Sequence, residues 1–295
     1  MKRETETLVI RKRVFFTLAS DSTDYLQSIL PNEELTKELR RRHVDIFTFL
    51  ERRWCCPIME PSKTWARAGD NIAILNLKSY DEWWKNIGKK TRNMIRKAEK
   101  VGIETDVAMA NDKLAEGIWK IFNETPIRQG RGFPHYGVSL DTVKRNLESF
   151  QNSTYIGAYL QKELVGFIHL IHGDRLTMIS QILSLQKHWD KAVNNALVAR
   201  AIKVCASEHF EWIMYGRMGN HPSLDNFKQN HGFTKYQLTR YFMPLTRKGK
   251  LTIRLGLHRD MKEALPQAIK YLLIPVYNWV SRAKVRLRSR PKQIT

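Results

Sequence analysis

Along residues 80–100, apolar Trp84, Ile87, Met94, Ile95 and Ala98 recur at three- and four-residue steps, the spacing of one helix face. Lys85, Lys89, Arg92, Arg96 and Lys100 repeat at the same steps. The pattern therefore predicts a helix that buries one side and presents a row of cations on the other. Gly102 stops it, and residues 103–107 alternate as a strand. Upstream, residues 72–77 predict a short apolar strand, and residues 32–50 a charged helix containing Arg40, Arg41 and Arg42. Residues 111–124 carry a second stripe, formed by Leu114, Ile118, Ile121 and Phe122. Residues 125–137 hold two Pro and three Gly without periodicity, which predicts a loop.

A helix over about 139–150 leads into the clearest β pattern of the chain. Residues 154–160 and 164–172 form a hairpin, and Gly173-Asp174 turns into a third strand at 176–185. A helix over 192–209, a strand at 212–215, a short helix at 223–231 closed by Gly232 and a strand at 236–245 follow. The order predicts an α/β (α+β) fold with a mixed, largely antiparallel sheet flanked by helices. Residues 259–295 read as a basic helical tail. Its apolar run, 271–280, is about ten residues, where a bilayer span needs about 20.

Charge sharpens the picture. The chain has 50 Lys+Arg against 29 Asp+Glu, a formal net charge of +21. Residues 246–295 alone carry 13 basic and 2 acidic residues. Such a surface attracts phosphates, nucleic acid or an anionic membrane face. The tail suits peripheral contact with an anionic membrane, or docking on the domain with a solvated basic end. Three cysteines, Cys55, Cys56 and Cys205, make no disulfide framework. Residues 1–16 lack a signal-peptide core, so the chain reads as cytoplasmic. No zinc spacing, phosphate loop or Gly-x-Ser-x-Gly elbow is present, and no metal is expected.

Two segments resemble signatures of the GNAT superfamily, in its Fem-type aminoacyltransferase branch. One is the strand and helix of residues 72–100, with Lys89-Lys-Thr-Arg-Asn-Met-Ile-Arg-Lys-Ala-Glu-Lys. The other is Gly219-Asn-His-Pro-Ser-Leu-Asp-Asn-Phe-Lys-Gln-Asn-His-Gly-Phe, similar to the closing Phe-Lys-x-x-x-Gly-Phe element. The resemblance spans about residues 72–245. It implies a GNAT-like transferase domain there, preceded by a charged region, 1–71, that corresponds to a reduced first GNAT half, and followed by the tail, 246–295.

It also implies acyl transfer from an activated carrier to an amine, with acetyl-CoA or another acyl-CoA as donor. The donor side would comprise Leu183, Ser184 and Leu185 on the splayed strand and Lys191, Ala192, Val193, Asn194 and Asn195 at the next helix start, a ready anion site. Asn220 and Lys228 would add contacts. Ala192 and Asn194 stand where acetyl-CoA enzymes keep glycines, and Asp190 where another is common. Phe227 stands where many keep a Tyr general acid. The Fem-type branch, which takes aminoacyl-tRNA, does not need that glycine turn. A third possibility is a non-catalytic module for anions or membranes.

Polar groups for catalysis concentrate on the 124–137 loop. Glu124 or His135 would act as base and Tyr136 as acid, while Arg128 and Arg131 would hold a phosphate or carboxylate. The structural alternative gives Glu124 a helix end and packs the His135–Tyr136 pair on the hairpin. His169 would face the cleft or the core.

Overall fold

The computed structural model describes residues 8–21, 24–26, 29–51, 62–128, 130–149, 152–219 and 221–258. The basic tail over 259–295, Cys55, Cys56 and Asn220 lie outside the described residues. The chain forms two compact units. One holds the residues up to Ala73 together with Arg217–His221 and the segment from Lys235; the other holds Ile74–Gly216 and Pro222–Thr234. The strand and helix over 235–254 thus group with the N-terminal region rather than with the 72–234 stretch.

In the first unit the strands run β1 (Leu8–Lys12), β2 (Thr17–Asp21), β3 (Ile46–Glu51), β12 (Thr234–Pro244) and β4 (Ala66–Asn76) across the sheet. β1 and β2 are antiparallel, β2 and β3 parallel, β3 and β12 antiparallel. Helix α1 (Glu33–Arg41) starts on Asn32, whose Oδ1 accepts from the Leu35 amide. It is shorter than the helix predicted over 32–50. The apolar run Ile46-Phe-Thr-Phe-Leu is strand instead, and its residues are buried, because β-branched and aromatic side chains favour a packed sheet over a charged helix. Phe47 and Phe49 join Leu35, Leu39, Tyr241 and Met243 in one core.

The second unit orders its strands as the end of β4, β11 (Trp212–Met214), β10 (Leu176–Ser184), β9 (Glu163–His172), β8 (Ser153–Leu160) and β5 (Glu104–Ala108). The β10–β11 pair is parallel and the other pairs are antiparallel. Helices α4 (Asp112–Asn123) and α5 (Leu140–Glu148) pack with Tyr155 and Phe167 in a second core. α6 (Val193–Ser207) packs on β8, β9 and β10.

The cationic segment differs from its prediction. It is two helices, α2 (Tyr80–Asn86) and α3 (Lys89–Lys100), separated where Ile87 and Gly88 turn extended. Arg92 donates to the carbonyls of Trp84, Lys85 and Ile87 at 3.1, 3.1 and 2.7 Å, satisfying the end of α2. The break rotates the buried face: Trp83, not Trp84, is buried, and its indole donates to the His231 carbonyl at 2.9 Å. Helices α7 (Pro222–Asn230) and α8 (Arg247–Arg254) lie further along the chain. No helix among the described residues is long and apolar enough to cross a membrane.

Candidate active site

The second unit opens a cleft where two parallel strands part. β10 pairs with β11 only from Leu176 to Met178, opposite Trp212 to Met214. β11 then ends, while β10 continues to Ser184 held by β9 alone on its other side. A register shift between Ile179 and Gln181 marks a bulge at the parting point, and bulges bend a strand and re-aim its side chains. The opened edge borders a cleft of about 690 Å³. Its lining includes Ser180, Gln181, Leu183 and Ser184 from β10, Tyr215 beyond β11, and Leu224 and Phe227 from α7.

The start of α6 heads this cleft, through Ala192, Val193, Asn194 and Asn195. Ala192 adopts a left-handed backbone, φ 56° and ψ 31°, and no side chain caps the helix. First-turn amides therefore point outward with the positive end of the helix dipole, which favours an anion. Asn194 Oδ1 is buried with no hydrogen-bond partner among the described residues, an acceptor suited to an N–H of a bound molecule. Gly166 on β9 allows the close approach of this helix start. A Cβ there would lie 2.7 Å from Val193 Cγ1 and 3.1 Å from the Leu183 carbonyl oxygen.

The 124–138 segment forms the facing wall. It is less irregular than predicted, since β6 (Ile127–Arg128) and β7 (Arg131–Gly132) make a small hairpin. Arg128 fixes it. The side chain is 9% exposed and donates to the carbonyls of Ser184 at 2.9 Å and Ile121 at 2.8 Å, and to Glu124 at 3.1 Å. Its guanidinium also stacks 4.6 Å from the Phe133 ring centroid. His135 stacks on Phe122 at 4.6 Å, and its Nε2 lies 3.1 Å from Gln181 Nε2 on β10. Burial, then the nearby Arg128 charge, lowers the His135 pKa below its ordinary value. At neutral pH the ring is an uncharged base beside the open strand.

Of the residues singled out from sequence, Arg128, His135, Leu183, Ser184, Ala192, Val193, Asn194 and Asn195 line this cleft. Others serve elsewhere. Glu124 accepts from the amides of Gln186 and Lys187 at 2.7 and 3.2 Å as well as from Arg128. Through these three contacts it ties a short 3-10 helix (Gln186–Lys191) to the end of α4, outside the lining of this cleft. Leu185 and Glu124 border a separate cavity of about 720 Å³. Tyr136 packs against the core of α4 and α5. Arg131 is exposed on the small hairpin, and Lys191 reaches Asp190 at 3.5 Å outside the cleft lining.

Lys228 is buried, with Nζ 4.8 Å from the Tyr215 ring centroid, and burial lowers its pKa. His169 is buried in β9 and stacks on Tyr155 at 4.1 Å; burial, then His172, pushes its pKa down to about 4.

Gln181 and Tyr215 are among the cleft residues that sequence reasoning missed. Burial raises the Tyr215 pKa, so its hydroxyl keeps its proton. Gln181 lay in plain view on a predicted strand, yet only the bulge aims it at His135. Tyr215 and Phe227 both line the cleft, and the place of Tyr215 just past a strand end was the available signal.

Comparisons place this geometry. Residues 116–233 match the sequence model of the acetyltransferase (GNAT) family. No protein of curated function matches the chain in sequence. Among solved structures, FemX superposes with a TM-score of 0.55 at 9% identity, over 79% of this chain and 83% of that one. The C-terminal domain of an Agrobacterium fabrum protein described as a lysylphosphatidylglycerol synthetase gives 0.56 at 8% identity, over 84% and 83%. L-PGS from Bacillus licheniformis gives 0.52 at 13% identity, over 85% and 86%. At these identities the likeness establishes the fold.

Proposed function

Because this chain carries a GNAT-family domain within a Fem-like fold, we propose that it is an N-acyltransferase working in the cleft beside β10. One observation carries this reading: beyond Met178, β10 has no partner strand on its β11 side among the described residues and borders the cleft. Main-chain donors and acceptors there can hold an extended arm, and the uncapped start of α6 can hold its anionic end. A bound donor supplies the activated carbonyl; everything else falls to this chain's residues. The attacking amine displaces the Gln181 amide from the Nε2 lone pair of the uncharged His135, which then takes its proton. A β10 amide stabilises the oxyanion. Tyr215, kept protonated by burial, donates to the leaving group.

The donor reading begins with an acyl-CoA. The open strand edge, the α6 amides and the orphaned Asn194 Oδ1 fit its arm and phosphates. The Asp190 carboxylate turns to solvent beside Lys191 and is absent from the cleft lining. An aminoacyl-tRNA donor is the second reading. It is favoured by the exposed cations Lys85, Lys89, Lys97 and Lys100 on α2 and α3, which form no ion pair among the described residues, and by the FemX and L-PGS folds.

The test is transfer of a labelled acyl group to a panel of amines, run with acyl-CoA and with aminoacyl-tRNA in parallel. One donor supports transfer, and His135→Ala lowers turnover about 10²–10⁴-fold with donor affinity nearly unchanged. Absence of transfer from both donors removes the enzymatic reading. Unimpaired turnover in His135→Ala removes this assignment of the base.

A further inference from the structure

The first unit carries a surface that the transferase reading leaves unused. At the β1–β2 turn, Val14 and Phe15 are 90% and 64% exposed. On α8 and just after it, Leu251 and Leu255 are 56% and 62% exposed, and Leu257 is also exposed. Isolated exposed apolar side chains are ordinary, but a large set at one place marks an interaction site.

The turn and the helix are held together at their roots. Asp45 Oδ2 accepts from the Thr17 amide at 2.9 Å, and Asp45 Oδ1 accepts from Thr246 Oγ1, the N-cap of α8, at 2.7 Å. A Cβ at Gly249 would collide with the Asp45 carbonyl. Phe16 and Ile253, the inward neighbours of Phe15 and Arg254, meet in one small core with Leu18, Ile46 and Phe242.

Cations surround these apolar groups. Arg11, Lys12 and Arg13 flank the turn, while Arg247, Lys250 and Arg254 are exposed on α8. None of the six forms an ion pair among the described residues. Asp45, the acid at this end, is engaged by Thr17, Thr246 and Lys248, the last at 3.4 Å.

We infer that the β1–β2 turn and α8 together form a docking surface for an anionic phospholipid bilayer, with Val14, Phe15, Leu251 and Leu255 entering the headgroup boundary and the cations meeting the lipid charge. Nucleic acid fits less well, since Phe15 is the one aromatic face among these exposed apolar groups and Val14 and the leucines offer none for a base to stack on. The chain continues directly from this surface into residues 259–295, whose sequence carries a ten-residue apolar run at 271–280 and nine further Lys and Arg, the composition of an interfacial segment.

Sedimentation of the full chain with vesicles of phosphatidylglycerol mixed into phosphatidylcholine, against pure phosphatidylcholine, tests this. The wild type binds the anionic vesicles preferentially and releases them at high salt. Phe15→Ser with Leu255→Ser, both at exposed positions, lowers vesicle affinity about tenfold or more while the thermal melt stays unchanged. Failure of the wild type to bind overturns the inference. So does wild-type binding by the double variant, which would put the contact elsewhere on the chain. Loss of a soluble RNA rather than of vesicles by the double variant would identify a nucleic-acid surface and equally exclude the bilayer.

Discussion

Ala192 adopts a left-handed backbone (φ 56°), the region glycine enters most readily, but with a methyl group attached. L-residues pay for this conformation, whereas glycine adopts it freely and loses more chain entropy on folding. The two effects nearly cancel, so Ala192→Gly should shift unfolding free energy by less than about 1 kcal/mol in urea denaturation. It should also let a phosphate approach the α6 amides more closely, tightening acyl-CoA in calorimetry. Unchanged acyl-CoA affinity would mean that this turn does not hold the phosphates. Single residues were the least legible part of the sequence. Glu124 looked like a base because its type and its loop position allowed it, but its partners at Gln186 and Lys187 are about sixty residues away. Local spacing cannot reveal which distant amide claims a carboxylate. His135, expected on the same loop, does line the cleft, because the small hairpin carries it back toward β10.

Whole elements were read more reliably, because periodicity records which face is buried. The β8–β9–β10 run, α4 and α6 fall close to their predicted positions. The failures share a cause. The break at Ile87 and Gly88 and the strand at Ile46–Glu51 depend on tertiary partners, the Arg92 side chain and the neighbouring strands, that override local preference. The parting of β10 from β11 was expected from resemblance; the bulge that accompanies it has no sequence signal. Gly166 is the element-scale pressure point, where β9 meets the start of α6. Gly166→Ala forces its Cβ against Val193 Cγ1 and the Leu183 carbonyl, and overpacking against backbone costs about 1–3 kcal/mol. The denaturation midpoint should fall accordingly. A midpoint within error of wild type would show that the helix start yields at little cost.

At the scale of the whole molecule, two buried histidines couple stability to acid. His169 and His231 have pKa values pushed down to about 4, chiefly by burial. His231 Nε2 is buried with no hydrogen-bond partner among the described residues, while Nδ1 lies 2.7 Å from the Phe227 carbonyl. In the unfolded chain each titrates near the ordinary value of 6.5. Between those limits the unfolded state binds more protons, so stability rises with pH there. Stability present at neutral pH is therefore lost progressively as pH falls from about 6.5 toward about 4. Urea midpoints measured across that window should decline, and His169→Gln with His231→Gln should flatten the slope. A wild-type midpoint that holds constant to pH 4.5 or so would contradict the assignment.

The first unit is discontinuous in the chain: β12 and α8 belong to it, yet almost the whole second unit is encoded between them and β3. During synthesis, Phe47 and Phe49 leave the ribosome well before Tyr241 and Met243, the residues that close over them. The second unit can reach its fold while β3 still lacks the neighbour on one of its edges, and an apolar strand in that condition is an invitation to mispairing. The order of translation makes the amino-terminal core the last to be sealed.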